Sequence, residues 1–227
     1  METYIVRVWL PDRPGALGQV ASRIGAVRGE IVGIDILERG AGRAIDELAV
    51  QLPVADGSLV ELMVAEIRDV DGVDVESVRP VDGVTHDPRA DALETAAIMV
   101  GAVDRAALLD AAVTHGRRVL GGMWAAVVQL DGGGVLAVDG AVPPEAWIEA
   151  FVAGSRATGP LQSTDRGPDD VVWSPMPAAN LALVVGREGS GFRARERRQV
   201  AALARIADTR LVDFVRRNHP SAAGHAN

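Results

Sequence analysis

The chain contains no cysteine and no lysine, so all 23 of its basic residues are arginine. Without cysteine there is no disulfide, no thiolate nucleophile, no zinc finger and no iron–sulfur cluster. Without lysine there is no Schiff-base chemistry and no phosphate-loop lysine. Aromatic residues make up only 4% of the sequence, so the core must be built from Val, Leu, Ile and Ala. The longest apolar stretches run to about ten residues, well short of the ~20 that span a bilayer as a helix. The first residues, Met1 to Arg7, begin with strand-like alternation, without a basic region, an apolar run or a cleavage site, and the expectation is a cytoplasmic protein.

What is present is ordinary for a globular fold: 227 residues, 48% hydrophobic and 24% charged. The net charge is −8, which disfavours bulk binding to nucleic acid or to an anionic membrane surface. That charge is unevenly spread. Residues 1–84 hold 8 arginines against 15 acids, net −7, and residues 85–227 hold 15 against 16, net −1. The change falls at Val81 to Arg89, a polar stretch with Gly83 and Pro88 that reads as a linker. The expected organisation is a first domain over 1–80, a linker over 81–90, a second domain over 91–217 and a tail over 218–227.

In the first domain, Tyr4 to Leu10 alternates as a strand, and Pro11 to Gly15 breaks it. Leu17, Val20, Ile24 and Val27 then recur at helical spacing, with Gly29 just past the end. Strands follow at Ile31–Leu37 and Ala44–Leu52, joined by Arg39-Gly40-Ala41-Gly42. Ser58 is placed to cap a helix to about Val70, and Val73–Val78 is a last strand. The β-α-β-β-α-β order predicts a ferredoxin-like domain, with both helices on one face of a four-stranded antiparallel sheet.

The most informative local pattern is Asp12-Arg13-Pro14-Gly15-Ala16-Leu17, between the first strand and first helix. Pro presets φ, Gly lets the backbone approach a ligand, and the first-turn N–H groups of a helix suit a carboxylate. A plain strand-to-helix turn, with Asp12 as N-terminal cap and Leu17 in the core, uses the same residues. The loop resembles the strand-Asp-Arg-Pro-Gly-x-Leu-helix signature of the ACT domain family, and the element order over residues 3–79 agrees. That resemblance implies an amino acid or similar small effector, bound at a homodimer interface. The ligand's carboxylate would lie on the N–H groups near Gly15, Ala16 and Leu17. Its ammonium would meet Asp12 or the start of the second strand, Val32-Gly33-Ile34-Asp35. Family members often carry an Asn there, and Asp35 departs from that pattern. Asp35 as a solvent-facing strand residue is the alternative.

The second part is read as helix, helix, hairpin, helix, strand, strand and long helix. Asp91–Val100 is Ala-rich, and Asp104 is placed to cap a helix to about Arg118. A hairpin spans Gly122–Leu130 and Val135–Val138 around Asp131-Gly132-Gly133-Gly134. Pro143-Pro144-Glu145 opens another helix, and Val171–Trp173 and Leu181–Gly186 are strands. The last helix starts at Phe192 or Arg193 and carries one stripe of Val200, Leu203, Ala207, Leu211 and Phe214. This order, with the ending Gly186-Arg187-Glu188-Gly189-Ser190-Gly191-Phe192, resembles a GAF domain, an α/β sensory fold with an antiparallel sheet, over residues 91–216. The cysteine used for covalent tetrapyrrole attachment is absent, and no cyclic-nucleotide motif is visible.

Other patterns point away from chemistry. Gly186, Gly189 and Gly191 run in the reverse order of a dinucleotide fingerprint, so a strand–turn–helix link is the favoured reading. Arg193, Arg195, Arg197 and Arg198 lack interleaved aromatics and read as a helix face that is solvated or meets acids on a partner. His86, His115, His219 and His225 are scattered without ligand spacing, so no metal is expected. The acidic pairs Asp46-Glu47 and Asp169-Asp170 read as solvated strand edges and turns. Trp124, Trp147 and Trp173 are expected to cluster in the second core, with a stacking pocket for a planar ligand as the sharper reading. The whole is expected to be a non-catalytic regulatory protein without cofactor. It would dimerise by edge pairing of the first sheet or packing of the last helix. A ligand-free dimerisation scaffold is the alternative.

Overall fold

A computed structural model describes residues 1–53, 57–81, 88–157 and 170–218. Most of the expected linker, most of the tail and the segment 159–169 therefore lie outside the described residues, as do His86, His219 and His225. The chain divides into two compact units, residues 1–87 with 193–195, and residues 88–192 with 196–227. Both are α+β with four-stranded antiparallel sheets.

The first unit runs β1 (Glu2–Pro11), α1 (Ala16–Ala26), β2 (Glu30–Gly40), β3 (Arg43–Leu52), α2 (Gly57–Arg68) and β4 (Asp74–Val81). Its sheet order is β2-β3-β1-β4, the ferredoxin-like arrangement. Because side chains alternate across a strand, one face of β1 presents Val6, Val8 and Leu10 and one face of β3 presents Leu48, Val50 and Leu52. Val20 and Ile24 of α1 and Met63 and Ile67 of α2 pack onto that face. Ser58 lies inside α2, one residue past its start, so the expected cap is corrected.

The end of α1 is a Schellman turn. Gly29 N–H donates to Ile24 O at 2.9 Å and Arg28 N–H to Gly25 O at 3.0 Å. Arg28, not glycine, takes the left-handed position at φ 63°. Gly29 is required for space, since a Cβ there would stand 2.8 Å from Ile24 Cγ2.

The second unit runs α3 (Pro88–Gly101), α4 (Arg105–Val119), β5 (Trp124–Gln129), β6 (Val135–Gly140), α5 (Glu145–Ala157), β7 (Val171–Met176), β8 (Leu181–Gly186) and α6 (Ala194–Asn218). The sheet order is β6-β5-β8-β7. Helices cover both faces. Ala125, Val127, Leu183 and Val185 meet a core that includes Met99 of α3, Leu108 and Ala112 of α4, and Val200, Leu203, Ala207 and Leu211 of α6. Trp124, Ala126, Val128, Ala182 and Val184 meet Ile148 and Val152 of α5. This double covering explains why Leu181 to Gly186 is an unbroken apolar run. Asp104 caps α4 as its position implied, accepting from Ala107 N–H at 2.8 Å.

Trp124 stands opposite Gly186 on β8 and Gly140 on β6. Its ring fills the space beside Gly186, where a Cβ would come within 2.5 Å of Nε1 and closer still to two ring carbons. Gly186→Ala must therefore displace a buried indole. The expected loss is about 1–3 kcal/mol, measured by chemical denaturation. An unchanged midpoint would mean that the ring does not fill the space beside Gly186.

Candidate functional site

The loop between β1 and α1 is built by its own sequence. Asp12 N–H donates to Gly42 O at 2.9 Å, which ties the loop to the turn between β2 and β3. Arg13 N–H turns back to Pro11 O at 2.8 Å. Gly15 then takes φ 86° at the N-cap of α1, a conformation that costs glycine little. A Cβ at Gly15 would meet nothing within 4 Å, so its backbone conformation, not crowding, calls for glycine.

No side chain caps α1, which corrects the reading of Asp12 as the cap. Ala16 N–H reaches Arg13 O at 3.3 Å, whereas the N–H groups of Leu17 and Gly18 meet no acceptor among the described residues. Of the expected donors Gly15, Ala16 and Leu17, only Ala16 is thus already used, and Gly18 joins the open ones. Asp12, Arg13, Pro14 and Gly15 are exposed, Ala16 is buried, and Leu17 packs partly on the core. These groups present an uncapped helix start with its positive dipole end, suited to a carboxylate.

The β2 residues divide between the two faces of the sheet. Ile34 stands opposite Leu48 and Ile36 opposite Asp46, on the face that carries the helices. Gly33 and Asp35 stand opposite Ala49 and Glu47, on the other face. The structure therefore brings Ile34 to the side of α1 and places Gly33 and Asp35 away from it.

Asp46 is the residue that sequence reasoning missed. It lies inside β3, opposite Val8 of β1 and Ile36 of β2, and is only 3% exposed. Its Oδ1 is buried and accepts no hydrogen bond. Burial raises its pKa above the ordinary 3.8, Arg39 opposes that rise, and the negative charge of Asp12 adds to it. The reading of Asp46-Glu47 as a solvated pair is thereby overturned. The signal was present as period two: Ala44, Asp46, Leu48, Val50 and Leu52 share a face, and one of them is acidic.

Glu47 belongs to a network on the opposite face. Arg7 is 1% exposed and donates from Nε and Nη2 to Glu47 Oε1 at 3.1 and 2.7 Å. Glu76 Oε1 lies 3.7 Å from Arg7 Nη1, and Glu76 Oε2 accepts from Trp9 Nε1 at 2.7 Å. Glu76 is the extra residue of a bulge in β4, and the bulge turns its carboxylate toward Arg7 and Trp9.

In the second unit, the glycine-rich turn after β8 is filled by its own arginine. Arg187 donates to Ser190 O, Leu120 O and Gly191 O at 2.8, 3.1 and 2.7 Å, and to both oxygens of Glu196 at 2.5 and 3.0 Å. Its carbonyl-lined interior suits a cation, not a phosphate. Trp124 and Trp147 meet edge to face at 6.3 Å, and Trp147 stacks on Phe151 at 5.6 Å. Trp124 and the partly buried Trp173 pack in one core layer, but Trp147 is 41% exposed, so the expectation of all three in the core is met by two of them. An open groove of about 750 Å³ lies against α4 and β6, lined in part by Arg105, Asp110, Leu136 and Val138. Among the described residues no group of three His, Asp or Glu side chains is placed to hold a metal ion. No described helix is long and apolar enough to cross a membrane.

The fold and the loop define the first unit as a ferredoxin-like domain with an open helix start between its first strand and first helix. No protein-family model matches the chain, and no curated protein matches it. Among solved structures, it is similar to the ACT domain from GTP pyrophosphokinase of Chlorobium tepidum. That likeness has 17% identity and a TM-score of 0.27, and covers 37% of this chain and 91% of that one. It is also similar to the C-terminal domain of the MgtC protein from Mycobacterium tuberculosis, at 16% identity and TM-score 0.30, over 38% of this chain and 95% of that one. A longer likeness is to bacteriophytochrome RpBphP3 from the photosynthetic bacterium R. palustris. It has 10% identity and a TM-score of 0.41, and covers 95% of this chain and 59% of that one. None of these carries a function over to this chain.

Proposed function

We propose that this is a non-catalytic regulatory protein whose ACT-like first domain binds an amino acid or a similar small effector. The observation that carries this reading is the uncapped start of α1 behind the positive-φ Gly15. The bound state would be passed to the GAF-like second domain or to a partner as a change in dimer geometry. A coupling of about 1–3 kcal/mol suffices for that. The homodimer would form along β2, an edge strand that exposes Val32, Ile34 and Ile36. A cytoplasmic location and the absence of any catalytic or cofactor-dependent step belong to the same proposal.

The test is thermal unfolding of the full chain against the twenty amino acids at millimolar concentration. A ligand at 100 times its Kd adds about 2.7 kcal/mol to the state that binds it. One or two amino acids are expected to raise the midpoint by several degrees, and Gly15→Asp is expected to abolish the shift. A flat response across all twenty would overturn the effector reading in favour of a ligand-free dimerisation scaffold.

A further inference from the structure

We infer that Asp46 is the ammonium-binding carboxylate of this effector site, and that Ile34 and Ile36 fit it to an apolar α-amino acid. The inference rests on the effector reading above and supplies the half of the site that the β1–α1 loop lacks. A zwitterion needs an anion site and a cation site a few ångströms apart. The loop offers N–H donors for the carboxylate, and its residues 13–17 carry no acidic side chain. Asp46 lies on the same side of the sheet as α1, since it pairs with Val8, whose side chain packs into the core beneath the helices. Its register partner Val8 stands three residues before Pro11, where β1 ends, so Asp46 lies near the end of β1 that leads into the loop.

A carboxylate that is 3% exposed and has an oxygen without a donor is costly to keep in a small core. A positively charged ligand group would satisfy it. Beside it on β2, Ile36 is registered with Asp46 and Ile34 with Leu48, and these two side chains remain 43% and 44% exposed although they lie on the helix-bearing face. They form an apolar strip that starts at the carboxylate, where the side chain of a bound amino acid would run. Asp35, on the opposite face, has no part in this arrangement.

The experiment uses calorimetric titration of the full chain with leucine, with serine, and with 4-methylpentanoate, which is leucine without its amino group. The wild type is expected to bind leucine more tightly than serine. Asp46→Asn is expected to weaken leucine about 10- to 100-fold, as for the loss of a charged hydrogen-bond partner, and to leave 4-methylpentanoate unchanged. The ligand-free Asp46→Asn protein is expected to melt no lower than wild type at pH 7, because the substitution removes a buried charge without changing shape. Leucine binding unaffected by Asp46→Asn would overturn the role of Asp46 while leaving the effector reading intact. Serine binding as tightly as leucine would overturn the apolar assignment. An Asp46→Asn protein that melts well below wild type would show that Asp46 serves the fold. Failure of every amino acid to bind the wild type would overturn the effector reading and this inference together.

Discussion

Arg187→Ala is expected to cost the second unit about 3–5 kcal/mol, the range for breaking a buried ion pair from one side. Arg187 and Glu196 have side chains only 6% and 9% exposed. Truncating the arginine takes the guanidinium away from both oxygens of a glutamate that is still charged and buried. It also strips donors from the carbonyls of Leu120, Ser190 and Gly191. The guanidinium lies 4.0 Å over the Phe192 ring, so packing is lost as well. Because Leu120 follows α4 and Glu196 stands in the first turn of α6, the damage reaches both ends of that core. Arg187→Lys keeps the charge but cannot reproduce the fork, and should recover only part of the loss. Denaturant unfolding followed by tryptophan fluorescence reports this, since three of the four tryptophans, Trp124, Trp147 and Trp173, lie in this unit, and Trp9→Phe removes the signal of the first. The double variant with Glu196→Ala should cost much less than the sum of the two single losses. A single-variant loss below about 1 kcal/mol would be the value of an exposed pair and would contradict the burial.

In the first unit Arg7→Ala is expected to be comparably damaging, at about 3–5 kcal/mol. Arg7 is the largest fully buried side chain of the chain's described residues, and it serves two carboxylates whose own exposures are 15% for Glu47 and 13% for Glu76. Without it, Glu47 is left charged with little water to screen it, while Glu76 keeps its ion pair to Arg193 at 2.6 Å. Glu76 also holds the indole of Trp9, so the loss should propagate to that ring. Hydrogen exchange localises the effect: amides of β1 and β3 should lose protection, with those of β5 and β8 unchanged. Replacing Arg7 and Glu47 together by apolar residues of similar size should restore much of the stability, because the cost lies in unpaired charge and Glu76 keeps Trp9 and Arg193. If Arg7→Ala alone leaves exchange in β1 unaltered, the network contributes nothing to holding the sheet.

Proton linkage at Asp46 gives a check in the opposite sense. Its folded pKa is raised, above all by burial, so its ionisation opposes folding. Stability from this group is greatest below its unfolded pKa and falls as pH rises through the folded one. The advantage of Asp46→Asn over wild type, measured without ligand, should therefore shrink as the pH is lowered toward 4. Arg39 and Asp12 are the charged groups that act on Asp46, with opposite signs.

Local rules in the sequence determined the order of the elements in both units, because apolar period, turn residues and caps act within a few positions of each other. The strand Leu181–Gly186 has the bounds its apolar run implied. Asp104 caps α4, and the stripe from Val200 to Leu211 is buried as its spacing required. The β1–α1 loop was legible for the same reason, since proline and glycine set its path from within. What tertiary structure alone decided was the partner of each charge and the face of each polar strand residue. Arg7 sits 40 residues from Glu47 in sequence, and a bulge in β4 delivers Glu76 to it. Asp35 and Asp46 are both acids in strands with alternating apolar neighbours, yet a register shift in β2 before Gly33 turns Asp35 away from the helices, while pairing with Val8 puts Asp46 on their side. Such pairings depend on which surfaces meet, and the free energy that selects them comes from burial shared across the whole sheet, so no short window of residues contains it.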